Sequence, residues 1–432
     1  MKKTIVVGGG IVGITAAFFA KKKGDDVILI EASDRLGGLL KSDCSDNGCF
    51  DYGTHIASMT GIDELDEFLF SDFSKSNAYL FNLGRSGSFF NGHLSELSPY
   101  PNVNSLSSSM LNKGRVEMLS SSDSIGANLE ETLINRYGEV FYLGFVKDII
   151  VNIFGESPQL LANECLRFFD MDRLLAFDEV ATERLKSIDV FDDKISFLGA
   201  RKGCKKLYPK SGGIGTWITF LEKKLFDIGV SIKKNTVLSN MKYKSPNYYL
   251  ESSDEEFEAD ELIWTLSSAL LNKFIPTNVV SSKPSFRKTG LYDFIFKKPL
   301  KTECYYINVH DVDLLANRIT CYQNLEEIPS FFAITVEVLE DFDFDFNLNI
   351  KLVLNQLYKS GIIENNNECL FSQCRELKEG FPTLTVEMTE SLEKINAYYE
   401  KNHSNVTLLG RSSAKGFFAS ELIVNAYREV YE

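Results

Sequence analysis

Residues 4–38 read TIVVGGGIVGITAAFFAKKKGDDVILIEASDRLGG. A short β-branched run at residues 4–7 leads into three glycines, and an apolar helix-like segment follows as far as Ala20. A second β-branched run, residues 27–30, ends at Glu31. Strand, glycine turn, helix, strand and acid in this order are typical of a βαβ unit that binds an ADP-containing dinucleotide. The sequence therefore predicts a Rossmann-like domain in this part of the chain.

The glycines and the acid each have a physical role in such a unit. Gly8 allows the sharp turn after the first strand, Gly10 lets the backbone approach a pyrophosphate, and Gly13 lets the helix pack closely on the sheet. The start of the helix offers unpaired N–H groups and a partial positive charge to the phosphates. Glu31 ends the second strand, where its carboxylate can accept hydrogen bonds from ribose hydroxyls.

The same residues could imitate an export signal. Lys2 and Lys3 precede an apolar run that ends near Ala20, as a signal peptide would require. Three consecutive glycines disfavour a helical apolar core, and the run is too short to span a bilayer. We therefore expect a cytoplasmic protein without an integral membrane segment.

A second glycine pair distinguishes between the two common dinucleotides. Arg35-Leu36-Gly37-Gly38 follows shortly after the ribose-binding acid and favours FAD over NAD. It resembles the R-x-G-G element of the amine oxidase superfamily of flavoproteins. The resemblance implies that this loop lies against the FAD pyrophosphate, where Arg35 would neutralise part of its charge. An NAD-dependent dehydrogenase remains an alternative, because it shares the first motif without needing the second.

The bulk composition excludes some classes of protein. The 432 residues are 44% hydrophobic and 25% charged, which is ordinary for two closely joined domains. The net charge of −14 argues against nucleic acid as a partner, although local cations can still bind an anionic small molecule. The eight cysteines have no C-x-x-C spacing, so we expect reduced thiols, and we expect no metal site.

The pattern along the chain predicts an α/β fold with an interleaved second domain. Residues 1–60, 201–270 and 400–432 are expected to form a Rossmann-like FAD-binding domain with a mostly parallel sheet. Residues 61–200 are largely amphipathic and predict a helical insertion that covers the cofactor. Residues 271–399 alternate apolar and polar side chains and predict an α+β substrate domain with an antiparallel sheet. Within it, the alternating residues 341–346 predict an edge strand.

The resemblance extends beyond the first motif. Residues 208–215, with their glycines before a helix, and the terminal pair Gly410-Arg411 are similar to the FAD-dependent amine oxidase and protoporphyrinogen oxidase-like superfamily. Residues 50–56, FDYGTHI, look like the related UDP-galactopyranose mutases. The resemblance implies that Val237 contacts the adenine and that the last helix begins beside the flavin ring. The implied cofactor-binding residues are Gly8, Gly10, Ile11, Val12, Gly13, Glu31, Ala32, Arg35, Gly37, Gly38, Leu39, Val237, Gly410, Arg411, Phe418 and Ala419.

Three residues are candidates for the substrate side. His55 could hydrogen-bond the flavin or orient the substrate, although a histidine satisfied by backbone groups is an equally good interpretation. Tyr208 could line the pocket or could only pack, and Arg318 could bind a phosphate or carboxylate bidentately or lie exposed on a strand. A basic run could attract an anionic nucleotide-sugar or form a solvated loop; its members are Arg201, Lys202, Lys205, Lys206 and Lys210.

These features predict an FAD-dependent oxidoreductase that transfers hydride from a small polar substrate, such as a nucleotide-linked sugar, to flavin N5. One alternative is a mutase-like sugar isomerase that uses reduced flavin with no net redox change. Another is a binding or scaffold protein that keeps FAD without turnover. The sequence leaves the oligomeric state open.

Overall fold

The computed structural model describes residues 1–122, 124–199, 201–280, 282, 285–326, 332–413, 416 and 418–432. Within these ranges, the side chains of residues 76, 82, 83, 201–204 and 379 are not described. Among the helices described, none combines the length and the apolar character that a bilayer crossing requires.

Short strands and helices follow one another along the described part of the chain. The strands are β1 (Lys3–Val7), β2 (Asp26–Ile30), β3 (Ser42–Ser45), β4 (Gly48–Asp51), β5 (Ala57–Ser58), β6 (Ala78–Gly84), β7 (Ser86–Phe90), β8 (His93–Ser95), β9 (Arg201–Pro209), β10 (Ser231–Lys233), β11 (Leu238–Lys244), β12 (Asn247–Ser252), β13 (Glu256–Ala259), β14 (Glu261–Trp264), β15 (Ser285–Phe296), β16 (Tyr306–Val309), β17 (Arg318–Cys321), β18 (Phe332–Glu340), β19 (Cys369–Thr383) and β20 (Val406–Leu408). The helices are α1 (Ile11–Lys22), α2 (Asp63–Phe70), α3 (Phe73–Ser76), α4 (Ser108–Ser120), α5 (Leu129–Tyr137), α6 (Glu139–Phe141), α7 (Lys147–Phe154), α8 (Glu179–Lys186), α9 (Asp189–Asp192), α10 (Gly215–Asp227), α11 (Ser268–Phe274), α12 (Ile350–Lys359), α13 (Val386–Asn402) and α14 (Ala419–Tyr431).

A five-stranded parallel sheet forms the centre of the dinucleotide-binding part. Its order is β10-β2-β1-β14-β20, so strands from three distant parts of the sequence meet in one sheet. Val7 at the end of β1 pairs with Ile30 on one side and with Trp264 on the other. The carboxyl ends of these strands therefore lie at one edge, where ligands of such sheets bind. The predicted Rossmann-like arrangement is confirmed.

Helix α1 covers this sheet because its residues are apolar almost all round. Ile14 and Phe19 are fully buried in a core that also contains Leu221 of α10 and Ile423 of α14. The last helix packs on the same core through Leu422, Ile423, Ala426, Tyr427 and Val430, which are all buried. A helix buried on several faces cannot rotate or slide without loss of packing, so the glycine loop at its start is rigidly placed.

A second sheet, of seven strands, has the order β19-β15-β18-β17-β16-β7-β8. Its strands are antiparallel except for the pairing of β16 with β7. The predicted antiparallel sheet is confirmed, with helices α12 and α13 within the same stretch of sequence. The prediction of an edge strand at residues 341–346 is wrong, because these residues form turns. Phe346 is instead fully buried and lies over Gly290, where a side chain would collide with its ring.

The segment 61–200 is mostly helical but is not a separate helical unit. Its strands β7 and β8 complete the seven-stranded sheet, and its strand β6 pairs with β9. Leu65 and Phe68 of α2 are buried in the core beneath the parallel sheet. The expectation of a helical insertion needs this correction, because strands β6 and β7 of the segment pair with strands outside it. The domain boundaries stay a prediction.

Cysteines 44 and 49 form a disulfide, contrary to the expectation of reduced thiols throughout. They lie opposite each other in the hairpin of β3 and β4, with 4.1 Å between their Cα atoms. Two cysteines five residues apart do not form a C-x-x-C motif. The register of the hairpin brings their side chains together. The other cysteines whose side chains are described, Cys165, Cys304, Cys321, Cys369 and Cys374, are free.

Candidate cofactor and substrate site

The two glycine loops predicted to bind a dinucleotide contact each other directly. The N–H of Gly37 donates to the carbonyl of Gly9 at 2.7 Å, and Gly10 forms a bridge pair with Gly37. A side chain at Gly38 would approach the Cα of Gly10 at 3.5 Å. We call residues 8–13 and 31–38 together the dinucleotide cradle. Gly13 and Gly37 are required there, because a Cβ would collide with the backbone oxygen of Gly8 or of Leu40.

The space that a side chain at Gly10 would occupy contains no protein atoms. A Cβ built there meets no protein atom within 4 Å, whereas one at Gly13 would collide with the carbonyl oxygen of Gly8. Ile14 donates to the carbonyl of Gly10 at 2.9 Å, and the N–H groups before it have no acceptor within the helix. Open space in front of unpaired N–H groups fits the pyrophosphate of a dinucleotide.

Glu31 is held in the position expected of a ribose-binding acid. One carboxylate oxygen accepts from the N–H of Gly9 at 2.7 Å, and the other accepts from the N–H and hydroxyl of Ser33 at 2.8 and 2.7 Å. A carboxylate has about four lone-pair sites, so one remains for a ribose hydroxyl. The bond to Gly9 also fixes the acid against the phosphate loop.

Arg35 is half-exposed and contacts the hairpin of β3 and β4. Its guanidinium donates to the carbonyl of Ser42 at 3.2 Å and to the carboxylate of Asp43 at 3.3 Å. The hydrogen bond to Asp43 is the main reason why the pKa of Arg35 lies above its usual value. Arg35 therefore stays charged, as a residue facing phosphate must, but part of its hydrogen-bonding capacity is used by the hairpin.

The remaining residues expected to bind the cofactor surround the same edge of the parallel sheet. The N–H of Thr236, beside Val237, donates to the carbonyl of Glu31 at 3.0 Å. Gly410, at φ +83°, follows β20, and its missing side chain leaves room for the carbonyl of Thr265. The accessible members of the set include Ala32, Leu39, Val237, Phe418 and Ala419, whereas Ile11 and Val12 are buried. Their contacts with a cofactor stay a prediction.

Arg318 is paired more tightly than the sequence could indicate. Its Nε and one terminal nitrogen donate to the two carboxylate oxygens of Glu337 at 2.9 and 2.8 Å. Glu337 also accepts from the N–H and the hydroxyl of Thr54. The bidentate face expected to bind a substrate anion is therefore already occupied. Burial alone would raise the pKa of Glu337, but the charge and hydrogen bonds of Arg318 outweigh it, so this pKa is lowered.

His55 lies beside this ion pair. Its Nε2 is 3.2 Å from the carbonyl of Tyr52, and since a carbonyl can only accept, Nε2 carries the proton. Burial lowers the pKa of His55 to about 4, against the opposing influence of Glu337. At neutral pH the ring is uncharged and its Nδ1 is an acceptor. Nε2 is therefore satisfied by a backbone carbonyl, as one interpretation of the sequence predicts. Nδ1 is available to accept a hydrogen bond.

Arg411 adds a second guanidinium to the same place. Burial lowers its pKa and the charge of Arg318 lowers it further, although solvent reaches the side chain. Within the described residues no hydrogen bond or ion pair neutralises Arg411. We call Thr54, His55, Arg318, Glu337 and Arg411 the arginine cluster. Its members come from four separate parts of the sequence, and it carries one positive charge in excess at neutral pH.

Asp170 is a residue that the sequence did not single out. Its carboxylate accepts from the Asn308 amide at 2.7 Å, and burial raises its pKa, while the charges of Arg318 and Lys206 lower it. Asp170 and the preceding Phe169 both have φ near +53°, and the Arg318 guanidinium lies 4.8 Å from the centre of the Phe169 ring. Two consecutive non-glycine residues in this conformation often accompany functional sites, but no sequence motif reveals them.

Of the basic run, Lys206 is the member whose charge acts on Asp170. Lys205 and Lys210 are exposed, and the side chains of Arg201 and Lys202 lie outside the described residues. In the described part of the run, Lys206 is therefore near the residues predicted to face the substrate. No group of three or more metal-ligating side chains occurs among the described residues.

Tyr208 is not accessible to a substrate. It is fully buried, and its hydroxyl donates to Asp51 at 2.6 Å. Asp51 also accepts from the hydroxyl of Ser42 at 2.6 Å and from the N–H of Ile214 at 3.0 Å. Burial raises the pKa of Asp51 to about 6 despite these bonds. The position of Tyr208 supports the packing interpretation rather than the pocket-lining one.

Comparison with known proteins agrees with this arrangement. Residues 6–69 match the NAD(P)-binding Rossmann-like domain family. An uncharacterized protein in the nifH2 3′ region of Methanothermococcus thermolithotrophicus is 40% identical over 57 residues, which are 13% of this chain. Those residues span 55% of that relative, so the chain covers about half of the length of the curated protein it matches.

Solved structures are similar over the whole length. Reduced UDP-galactopyranose mutase has 17% identity and a TM-score of 0.78, covering 100% of this chain and 95% of its own. A protein from Exiguobacterium sp. 255-15 described as a protoporphyrinogen oxidase has 17% identity and a TM-score of 0.72, covering 99% and 98%. A putrescine oxidase variant has 15% identity and a TM-score of 0.66, covering 99% and 98%. Residues 6–69 therefore match a Rossmann-like domain family, within an overall fold that the chain shares with these three solved structures.

Proposed function

We propose that this chain is an FAD-dependent oxidoreductase whose substrate is small, polar and anionic, such as a nucleotide-linked sugar. The observation that carries the proposal is the contact between the two glycine loops, with open space in front of Gly10. An NAD-dependent dehydrogenase would need the first loop but not its joining to Gly37 and Gly38. The cradle residues would hold the pyrophosphate and ribose, and bound FAD would supply a two-electron acceptor at flavin N5.

The arginine cluster supports an anionic group on the substrate. Glu337 neutralises Arg318, so among the described residues the charge of Arg411 is left for a ligand to balance. A phosphate or carboxylate beside Arg411 would relieve the repulsion between the two guanidinium groups. Because the cluster is held by a buried carboxylate, the binding geometry exists before the ligand arrives, which lowers the entropic cost of orientation.

Neutral His55 and charged Arg411 would position different groups of the substrate. His55 presents an acceptor at Nδ1, suited to a hydroxyl or N–H group, and its ring is fixed by the bond to Tyr52. Glu337 is already ionised and fully hydrogen-bonded, so we assign it to holding Arg318 and Thr54 rather than to proton transfer. Asp170, whose pKa is raised by burial, is a further carboxyl group near the cluster.

A flavin-dependent sugar isomerase is the second candidate. It is favoured by the TM-score of 0.78 to UDP-galactopyranose mutase over the full chain and by the segment 50–56 that contains His55. The two candidates differ in electron balance. The isomerase is active only after reduction and consumes no reductant, whereas the oxidoreductase reduces one equivalent of acceptor for each turnover.

The test begins with the visible spectrum of the purified protein and continues with anaerobic mixing. Amines, porphyrinogens and nucleotide-sugars are added separately to the flavin-loaded protein. Bleaching by one class identifies an oxidoreductase and its substrate class, whereas conversion of a nucleotide-sugar only after chemical reduction identifies an isomerase. A protein that binds no flavin when supplied with FAD contradicts both candidates.

The role of Arg411 is tested with a matched pair of variants. Arg411→Met should weaken nucleotide-sugar binding by about tenfold or more, as expected for the loss of a charge-assisted contact. Arg428→Met removes the same charge from an exposed position on α14 and should leave this affinity unchanged. Equal effects of the two variants would show that net charge, not the arginine cluster, governs binding.

A further inference from the structure

We propose that the Cys44–Cys49 disulfide is a redox-active site whose opening by an external dithiol loosens the grip of Arg35 on the dinucleotide. This inference rests on the proposed FAD site. The bridge joins the two strands of the hairpin of β3 and β4, and Cys44 is exposed while Cys49 is partly so. The free thiols of Cys165, Cys304 and Cys321 are buried by comparison. Exposed disulfides are the ones that dithiols reach and that serve labile or regulatory roles.

A residue next to the disulfide connects the hairpin of β3 and β4 to Arg35 of the cradle. Asp43, the residue before Cys44, accepts from Arg35 at 3.3 Å and from the hydroxyl of Tyr52 at 2.8 Å. Burial alone would raise the pKa of Asp43, but these two hydrogen bonds and the charge of Arg375 lower it. The carboxylate is therefore ionised and holds Arg35 on the hairpin, so a displaced Asp43 would change the position of Arg35.

The base of the hairpin is fixed independently of the disulfide. Ser42 donates to Asp51 and accepts from the N–H of Gly215 at 2.9 Å, and Arg375 donates to the carbonyl of Asp51 at 2.8 Å. Residues 45–47, by contrast, are exposed, and beyond Cys44 only the Ser45–Gly48 pair continues the register. Reduction should therefore loosen the tip and the adjacent Asp43 while leaving the base and the fold in place.

Thiol–disulfide exchange would open the bridge in two steps. A thiolate of the dithiol attacks the accessible sulfur of Cys44, a bond forms between the two sulfurs, and Cys49 leaves as a thiolate that takes up a proton. The second thiol of the reagent then attacks the mixed disulfide and releases Cys44. Two electrons and two protons pass from the dithiol to the bridge, and the reagent ends as its own disulfide. A low-molecular-weight disulfide reverses the reaction.

The experiment measures the FAD dissociation constant of the full chain before and after treatment with dithiothreitol, with native alkylation and mass spectrometry to locate the thiols. We expect two new thiols, at Cys44 and Cys49, and affinity weakened by about tenfold, the value for losing one charge-assisted contact. Cys44→Ser/Cys49→Ser should bind FAD like the reduced protein in both conditions. Cys369→Ser serves as the control, and its response to the reagent should equal that of the unmodified protein.

Asp43→Asn tests the connection without touching the bridge. This variant should bind FAD weakly, and reduction should change its affinity little, because the link between hairpin and Arg35 is already broken. Equal FAD affinity of the oxidised and reduced protein would overturn the proposal while leaving the proposed function intact. A protein that forms the bridge but binds FAD in neither state would overturn the proposed function as well.

Discussion

The dinucleotide cradle and the arginine cluster lie near the same edge of the parallel sheet but are built in different ways. The cradle comes from residues 8–13 and 31–38, and most of its contacts are made by backbone. The cluster collects side chains from segments as far apart as Thr54 and Arg411, held by one buried carboxylate. Local backbone geometry therefore shapes the proposed nucleotide site, and long-range side-chain pairing shapes the proposed substrate site.

The sharpest test of the cradle is Gly10→Val. The added side chain meets no protein atom within 4 Å of its Cβ and Gly10 has φ −68°, which valine can adopt, so the variant should fold. Because the side chain fills the proposed pyrophosphate site, we expect the variant to bind less than one FAD per chain. The flavin absorption spectrum measures this content. Gly10→Ala should show a smaller loss. A Gly10→Val protein that retains full flavin would show that the pyrophosphate lies elsewhere.

Within the arginine cluster, substitution of Glu337 should lower the free energy of unfolding the most. Glu337→Gln keeps the shape of the side chain but leaves Arg318 without its counter-charge, and breaking a buried ion pair in this way costs about 3 kcal/mol. Denaturant unfolding measures the free-energy difference. Glu368→Gln, which breaks an exposed pair with Lys297, should have little effect and is the control. Equal stability of the two variants would mean that the cluster is not preorganised.

Acidification should reveal the lowered pKa of His55. Its pKa is 6.5 when exposed and about 4 in the folded protein, so between these values the unfolded chain binds more protons. Folding stability is then lost as pH falls below 6.5, by up to about 3 kcal/mol at pH 4. His55→Gln should lose less stability than the unmodified protein between pH 7 and pH 4. His93→Gln, at an exposed position, is the control, and parallel profiles for all three proteins would contradict the prediction.

The smallest effect is expected at Tyr208. Tyr208→Phe removes one hydrogen bond to the buried Asp51 and should lower the free energy of unfolding by about 1–3 kcal/mol. Flavin content and turnover of the remaining folded protein should be unchanged, as measured by absorption and by single-turnover reduction. Loss of turnover with normal stability would instead support the interpretation that Tyr208 lines the substrate site.

Much of the fold could be predicted because its signals are periodic. The strands β1 and β2, the helix between them and the apolar face of α14 follow from spacing alone. Residues 341–346 show the limit of that method, since strict alternation predicted a strand where the chain turns. There the burial of Phe346 against Gly290 decided the conformation, and the alternation does not show which partner a side chain will find.

The site divides in the same way. The sequence by itself determined the dinucleotide cradle, because its glycines, helix start and acid are close neighbours along the chain and their roles depend on local backbone geometry. Only the tertiary structure decided that Arg318 is paired with Glu337, that Arg411 is left without a counter-charge among the described residues, and that Cys44 meets Cys49. The physical reason is that these outcomes depend on which side chains the strand registers and the packing of distant segments bring within a few ångströms of one another.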